Sequence, residues 1–326
     1  MRGKKRIAAV FLVIVALLVN TYIVYTMLLK DSEVGTAGII YRIGVCLAFD
    51  AVIVFSIINI ETFFRVPLDI YRSRDMFWDM AKNDFQAKFA GSVFGIFWAF
   101  VNPVITMLLY WFVFQVGFRS GDVGGYPFIL YFMSGMIPWF YFQDALNGGT
   151  GVLVEYSYLV KKLVFNVGIL PVLKVFSALF VHVFFLGFLM IVCAIYGFTP
   201  TLYTLQIFYY IICSAFLVLG LSYFTAACTV FFKDMTQLIG IVLMIGTWLT
   251  PIMWEPRRIL SPGLMKVFEF NPMFYVVDGF RDALLYHKWF WEKPIWTVYF
   301  WAVAILIYIV GVKFFNRLKV HFSDVL

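Results

Sequence analysis

The sequence predicts an all-α membrane protein, a polytopic helical bundle with about eight transmembrane helices. Of its 326 residues, 63% are hydrophobic and 13% are charged, whereas soluble domains have about 45–50% apolar and about 25% charged residues. Several apolar runs also reach about 20 residues, the length at which a helix crosses a bilayer. One membrane-embedded bundle accounts for all of these runs, so we expect no separate soluble domain.

Eight apolar segments are long enough to span a membrane at about 1.5 Å per residue. They are 7–29, 38–60, 92–118, 127–146, 167–196, 202–231, 236–254 and 294–314. The first follows the basic stretch MRGKKR, but it is too long for a signal-peptide core and has no A-x-A-like cleavage site. We therefore interpret it as an uncleaved helix. The seventh is the shortest and contains Gly240, Gly246 and Pro251, so we expect it to be broken.

Lysine and arginine are unevenly distributed between the two sides of the predicted membrane. With the N-terminus in the cytoplasm, fifteen fall in cytoplasmic segments and two, Lys30 and Arg119, in short external loops. The positive-inside rule favours this orientation and also accounts for the net charge of +7, so we expect no nucleic-acid partner. An even number of spans returns the C-terminus to the cytoplasm.

The turn between the sixth and seventh spans holds Lys233 and Asp234. Burying either charge in lipid costs about 3 kcal/mol, so the pair is expected to end one helix and precede the next at the cytoplasmic interface. A solvated turn and a contact with a cytoplasmic partner both explain it.

Residues 67–89 are predicted to form an amphipathic helix on the cytoplasmic membrane surface. Apolar residues recur at near-helical spacing from Ile70 to Phe89, and charged residues fill the opposite face. Pro67 suits the start of such a helix. A plain linker helix is the alternative.

The long external segment between the last two spans contains two short amphipathic pieces, 262–269 and 272–287, with proline breaks. We expect a helical hairpin over 257–287 that dips back toward the bilayer. Non-helical backbone at that depth needs protein or water around it. The hairpin is therefore a candidate lid or re-entrant gate.

No motif for enzyme chemistry is present. The sequence lacks a P-loop, a GxGxxG after a strand, a histidine pair at metal-ligand spacing and a G-x-S-x-G. Its four cysteines lie in apolar runs without a CxxC pair, as small core residues do. We therefore predict no catalysis, cofactor or metal on this chain. The best carboxylate pair for a membrane enzyme is Asp278 and Asp282, with Arg281 between them.

Polar residues within the predicted spans need partners, because an unpaired charge is costly there. Asn20 and Asp50 fall near the middles of the first two spans, which predicts an Asn20–Asp50 hydrogen bond or a protonated Asp50; a proton relay is the alternative. Lys174 and His182 in the fifth span are candidates for a polar cavity. For Lys174, extension to the membrane interface is the favoured interpretation.

Aromatic residues make up 21% of the chain. Their flat rings are suited to stack on the apolar faces of sugar rings in a conduit. Interfacial belts and core packing are the alternatives. The candidates lie on the third, fourth and seventh spans: Trp98, Tyr110, Trp111, Phe114, Trp139, Trp248 and Trp254.

Several stretches from Asp84 onward form an ordered set of motifs. They are DFQAKFAGSVFGIFWAFVNP, GMIPWFYFQDALNGG with LPVLKVFSAL, VFFKDMTQL, NPMFYVVDGFRDALL and FNRLKVHFSDVL. In this order they resemble the first core helix, the second and third helices, the turn before the fifth helix, the external hairpin and the tail of one family. That family is the type-2 ABC exporter permeases that move O-antigen, capsule or teichoic-acid polysaccharides.

The resemblance implies a six-helix exporter domain over 65–326 and an additional two-helix hairpin over 1–64. It implies a homodimer in a bacterial cytoplasmic membrane, with two copies of a separate ATPase subunit that binds ATP and Mg. The substrate would be a glycan on an undecaprenyl-type pyrophosphate lipid, passing through an aromatic-lined channel between the protomers. A related permease for small drugs or lipids is the alternative.

The resemblance also assigns roles to particular residues. The surface helix and the coupling segment 147–165 would contact the ATPase through Asp75, Trp78, Lys82, Asp84, Glu155, Tyr156, Leu159, Lys161 and Lys162. The lipid pyrophosphate would be attracted by Arg72, Arg74 and Lys88. The external gate hairpin would include Pro256, Pro262, Asn271, Pro272, Asp278 and Arg281.

Overall fold

The computed structural model describes residues 13–15, 18, 21–22, 36–88, 90–119, 121–161 and 166–326. These residues are almost entirely helical, and no strand occurs among them beyond one isolated bridge. From residue 36 onward we number the α-helices α1 Thr36–Ile58, α2 Ile60–Arg72, α3 Arg74–Ala87, α4 Trp98–Trp111, α5 Phe128–Glu155, α6 Ser157–Val160, α7 Leu170–Ile195, α8 Gln206–Phe231, α9 Met235–Leu249, α10 Pro256–Ile259, α11 Pro262–Glu269, α12 Pro272–Arg281, α13 Pro294–Leu318 and α14 Phe322–Val325.

Four helical segments are long and apolar enough to cross a membrane within the described part of the chain. They are Gly95–Gly117, Val167–Ile195, Leu202–Phe231 and Pro294–Val325, which contain α4, α7, α8 and α13. A fifth candidate, Cys46–Ile58 with Ile60–Tyr71, bends by 77° at its break. α5 has 28 residues, about 42 Å of helix, and lies mostly buried within the bundle.

The bundle is built around α5, which packs against α7 and α8, while α8 packs in turn against α13. α8 and α13 cross at two glycines. A Cβ on Gly311 would lie 2.2 Å from the carbonyl oxygen of Gly220, and a Cβ on Gly220 would lie 2.8 Å from the Tyr308 backbone. Glycine at both positions therefore lets the two backbones touch, as small residues do where membrane helices cross.

The predicted turn between the sixth and seventh spans is confirmed. α8 ends at Phe231, α9 begins at Met235, and Lys233 and Asp234 between them are exposed. The seventh span was expected to be broken, and its helix is interrupted only near its C-terminal end, after Leu249. α9 runs unbroken through Gly240 and Gly246 and stops at Leu249, because the non-helical stretch that follows contains Pro251.

The predicted single surface helix 67–89 is wrong in its first third. Pro67 does not start a helix; it lies inside α2, and the break comes at Ser73. There the Ser73 backbone N–H bonds the carbonyls of Asp69 and Ile70, which closes α2, and α3 begins at the next residue. A helix can continue through a proline at the loss of one hydrogen bond. α3 alone, packed against α7, is the predicted surface helix.

The external segment contains the two predicted helices, α11 and α12, preceded by the single turn α10. Each of the three begins with a proline, Pro256, Pro262 and Pro272, at a position where a missing N–H costs nothing. α11 buries only Met265, whereas α12 is buried from Met273 to Arg281 and packs against α5 and α8. The second half of the hairpin is therefore part of the bundle core.

α1, the second predicted span, packs against the last span, α13. Phe49 and Ile53 of α1 form a small apolar cluster with Val298 of α13. The additional N-terminal segment thus contacts the edge of the bundle. The predicted hydrogen bond between Asn20 and Asp50 lies outside the described residues, because Asn20 is not among them.

Candidate transport site

A buried lysine joins three parts of the bundle at its predicted cytoplasmic end. The Lys174 Nζ lies 2.6 Å from Asp84 Oδ1 and 2.8 Å from the Glu155 carboxylate, and the Tyr156 hydroxyl donates to Asp84 Oδ1 at 2.7 Å. Burial by itself raises the pKa of Asp84, but the positive charge and hydrogen bond of Lys174 lower it below the usual carboxyl value. The Lys174 cluster, defined by these four residues, connects α7 to α3 and to the end of α5.

Lys174 therefore does not extend to the membrane interface, as its sequence context favoured. It is 3% exposed, and the carboxylates of Asp84 and Glu155 lie beside its ammonium group. A buried ammonium ion is tolerated only when a nearby opposite charge offsets its lost hydration. The sequence signal was a lysine within an apolar helix, with Asp84 and Glu155 near the ends of two other helices.

The structure brings together three of the predicted ATPase-interface residues, Asp84, Glu155 and Tyr156, within this cluster. Asp84 is 2% exposed, so its carboxylate lies below the surface and is not accessible to a partner. Three charged residues and a half-exposed tryptophan are accessible on α3 and after α6: Asp75, Lys82, Lys161 and Trp78. Leu159 packs into the neighbouring apolar cluster, and Lys162 lies outside the described residues.

α3 is held against α7 by aromatic packing as well as by charge. Phe77 of α3 is buried and meets Phe176 of α7 edge to face, with ring centroids 5.1 Å apart. Trp78 contacts the same ring at 6.0 Å while remaining 48% exposed. A movement of α3 would therefore be transmitted directly to the end of α7 that carries Lys174.

A cavity of about 300 Å³ lies between α4, α5 and α7. Trp98, Phe140 and Tyr141 give it aromatic walls, and Asn102, Gln143 and Asn147 give it amide groups. His182 also lines it, which confirms the prediction that this histidine faces a polar cavity. Its ring lies 4.8 Å from the Tyr141 ring, centroid to centroid.

The residues predicted to attract the lipid pyrophosphate do not form one site. Lys88 lies at the cavity, where its Nζ is 3.0 Å from Asp144 Oδ2. Arg74 lies at the opposite end of α3, about 20 Å away along the helix axis, with an exposed contact to Asp75 at 3.6 Å. The side chain of Arg72 lies outside the described residues. A lysine already paired to a carboxylate is a weaker phosphate ligand than a free one.

The predicted channel aromatics divide into exposed and buried rings. Trp98 and Trp248 are 38% and 53% exposed. The others pack against the bundle to differing degrees. Tyr110 meets Phe132 and Trp248 edge to face, Phe114 stacks on Phe128, Trp111 packs at the core margin, and Trp254 donates its indole N–H to the Trp248 carbonyl.

Trp139 is a core residue in this structure and does not line a channel. It is 3% exposed, and its indole N–H donates to Thr247 Oγ1 at 2.9 Å. Its ring fills the space opposite Gly246, where a Cβ would lie 2.7 Å from the indole. The tryptophan thus packs α5 against α9, a role that sequence alone cannot distinguish from channel lining.

Arg281 anchors the external hairpin to the bundle. It is 1% exposed, and its guanidinium donates to the carbonyls of Pro251 and Ile252 at 2.8 and 2.9 Å. The same group lies 3.6 Å from the centre of the Tyr131 ring. The carbonyls after α9 lack helical partners, so a buried arginine satisfies them. Asn271, the N-cap of α12, adds a hydrogen bond to Thr250 at 3.0 Å.

Asp278 and Asp282, the carboxylate pair that the sequence offered for catalysis, form ion pairs with basic side chains. Asp278 lies 3.0 Å from Arg257 and 2.8 Å from Lys293, and Lys293 also bonds Asp282. Burial opposes ionisation of Asp278, but Lys293 and Arg257 keep its pKa well below the usual range. Burial and the charge of Asp278 raise the pKa of Asp282 to about 6. The arrangement links α12 to the start of α13.

These features define a class of protein, a multi-pass membrane protein with a polar cavity between its spans and a cluster of paired charges at one end of the bundle. Comparison with known sequences makes the class specific. The profile of the ABC-2 type transporter family matches residues 76–285, nearly two thirds of the chain, and the chain belongs to this family.

Two curated relatives match this chain over almost their whole length. The O-antigen export system permease protein RfbA of Myxococcus xanthus is 23% identical over 261 residues, 80% of this chain and 98% of the relative. The protein of the same name from Klebsiella pneumoniae is 22% identical over 253 residues, 77% of this chain and 95% of the relative.

Proposed function

We propose that this chain is the transmembrane subunit of an ATP-driven exporter that moves a lipid-linked polysaccharide across the cytoplasmic membrane. Its membership of the ABC-2 type transporter family supports a transport role, and the O-antigen export permeases among its relatives support a glycan cargo. A homodimer would form the channel, and two copies of a separate ATPase subunit would supply the energy. ATP and Mg would be bound by that subunit.

The observation that carries the proposal is a polar face shared by α4, which belongs to a segment of membrane-spanning length, and α5. Asn102 of α4 and Asn147 of α5 are exposed, and Gln143 and Asp144 are half-buried beside them. Amide and carboxylate groups facing acyl chains would each cost free energy, because lipid offers no hydrogen-bond partner. This face therefore suits contact with water or a hydroxylated cargo, and exposed Trp98 beside it adds a surface for ring stacking.

Two neighbouring apolar faces suit a second copy of the chain. α9 buries only Ile239 and Leu243, while Val242, Ile245 and Trp248 remain exposed. α4 is similarly open, with Ala99 and Met107 its buried residues. Packing of these faces against a partner protomer would enclose the polar face and turn it into a channel wall.

The accessible residues of α3 and the segment after α6 form the proposed ATPase surface. Trp78 offers an apolar contact, while Asp75, Lys82 and Lys161 offer charges around it. Apolar anchors ringed by polar groups are typical of protein interfaces. The Lys174 cluster beneath this surface would carry a movement of the ATPase into α5 and α7.

The direct test is deletion of this chain in its bacterium. We expect loss of polysaccharide from the cell surface and accumulation of the lipid-linked glycan inside the cytoplasmic membrane, with both effects reversed by the intact chain. A normal cell surface together with new sensitivity to small toxic compounds would instead identify a drug or lipid permease.

A further inference from the structure

Several of the described polar side chains that line the cavity between α4, α5 and α7 make no hydrogen bond. Within the described part of the chain, the side-chain amides of Asn102, Gln143 and Asn147 make no hydrogen bond. His182 is 3% exposed, and neither of its ring nitrogens has a hydrogen-bond partner there. Asn102 and Asn147 are exposed and can bond water, but a buried polar group is normally paired, so the orphaned His182 imidazole signals a missing ligand or water.

The chemistry of the lining favours a neutral, hydroxyl-rich ligand. The amides and the imidazole offer donors and acceptors of both kinds, which match the hydroxyls of a sugar. Trp98 and Tyr141 supply flat rings for its apolar face. An acyl chain or an apolar drug would leave all of these polar groups unsatisfied.

A phosphate group is a poorer fit. The cavity has one lysine, Lys88, and its charge is offset by Asp144 at 3.0 Å. An anion at that end would face the Asp144 carboxylate, a repulsive contact. The volume of about 300 Å³ is at the lower limit for ligand pockets, so it suits a short piece of glycan and not a long chain.

We infer that this cavity is a subsite for a single sugar ring of the cargo, with His182 at its floor and Asn147 at its mouth. The inference rests on the proposed function: the cavity lies within one protomer and opens on the polar face proposed above as a channel wall. Asn147 is about 12 Å along α5 from Glu155, so a bound sugar would lie close to the Lys174 cluster. Occupation of the subsite is then a means for the cargo to influence α5 and α7 before ATP is used.

The experiment is photo-crosslinking of the purified full-length chain in lipid nanodiscs, free of sugar-containing detergents. Diazirine derivatives of glucose, N-acetylglucosamine and rhamnose serve as probes. We expect at least one to label peptides from α4, α5 or α7, and the parent free sugar to compete. The His182→Phe variant, which fills the floor, should reduce labelling at least fivefold.

Asn147→Leu provides the second variant, since its exposed side chain can change without disturbing the fold, and Asn147→Gln should retain labelling. Labelling elsewhere only, or equal labelling of Asn147→Leu and the parent, would overturn the subsite, as would no labelling by any probe. A cavity that holds only water would give no labelling by any probe. Because the readout is binding, these outcomes are distinct from the deletion test. Glycan loss on deletion with no labelling would reject the subsite and leave the exporter role standing.

Discussion

Lys174 of α7 and Asp84 of α3 form a buried ion pair, with Nζ 2.6 Å from Oδ1 and both residues no more than 3% exposed. The pair links the surface helix α3 directly to the span α7. It explains why a helix of low hydrophobicity stays bound to the bundle, and why a lysine is tolerated inside an apolar helix.

Lys174→Met should therefore destabilise the protein, because it leaves the Asp84 carboxylate buried with only the Tyr156 hydroxyl as a partner. Breaking one side of a buried pair costs about 3–5 kcal/mol. Thermal unfolding in detergent measures the effect. The Lys174→Met/Asp84→Asn double variant should recover part of the loss, whereas a single variant as stable as the parent would show that the pair is not structural.

Gly311→Ala should weaken the crossing of α8 and α13. The new methyl group would lie 2.2 Å from the Gly220 carbonyl oxygen, and overpacking of this kind costs about 1–3 kcal/mol. Gly187→Ala in α7 is the matched control, since nothing lies within 4 Å of its Cβ position. Equal melting temperatures for the two variants would contradict the close approach of the helices.

Trp139→Ala and Trp248→Ala should affect different properties: the first should lower stability and the second should lower export. Trp139 is buried and hydrogen-bonded to Thr247, so its loss should cost about 3–5 kcal/mol in stability. Trp248 is 53% exposed, and its loss should cost less than about 1 kcal/mol while lowering glycan export. Melting and export assays on both variants separate the roles. A Trp139→Ala protein as stable as the parent would contradict the core role of Trp139 and favour a place in the channel wall.

Lys161→Glu should uncouple the ATPase from transport without unfolding the chain, because the side chain is exposed beside the Lys174 cluster. ATPase activity of the assembled complex, with and without glycan, measures coupling. Lys266→Glu is the control, as an exposed lysine on the external hairpin. If both reversals left coupling unchanged, Lys161 would not be part of the interface.

The carboxylates of Asp278, in α12, and Asp282, directly after it, should oppose each other as pH changes. The depressed pKa of Asp278 gives stability that is present above the usual carboxyl value and lost as pH falls through the folded pKa. The pKa of Asp282, raised to about 6, acts the other way, since protonation favours the folded state and this stability is lost as pH rises through about 6. The stability of Asp282→Asn relative to the parent should therefore rise as pH increases from about 4 to about 6 and then level off, measured as melting temperature. Parallel curves for the two proteins would contradict the raised value.

The helical architecture could be predicted from hydrophobic run length, and the hairpin helices from proline and amphipathic spacing. The break at Ser73 could not, because Pro67 carries the stronger local signal and tertiary packing of α3 on α7 decides the boundary. Among the site residues, Asp84, Glu155 and Tyr156 were expected at one interface. Their shared partner, Lys174, was not predicted, because contacts between three separate helices leave no regular spacing in the sequence.

The aromatic residues show the same limit. Trp139 and Trp248 have similar sequence surroundings in apolar helices, yet one is buried against Gly246 and the other exposed. Which face of a helix meets the core depends on neighbours that are distant in sequence. The amide face of Asn102 and Asn147 likewise comes from two helices, and neither residue stood out alone.

The central claim is that this chain is the membrane half of a glycan exporter and depends on a separate ATPase. The most direct measurement is transport of the lipid-linked polysaccharide into inside-out membrane vesicles containing this chain, with and without the ATPase subunit. We expect ATP-dependent uptake of the glycan only when both proteins are present. ATP hydrolysis by this chain alone, or glycan uptake that continues in vesicles lacking it, would rule out this role.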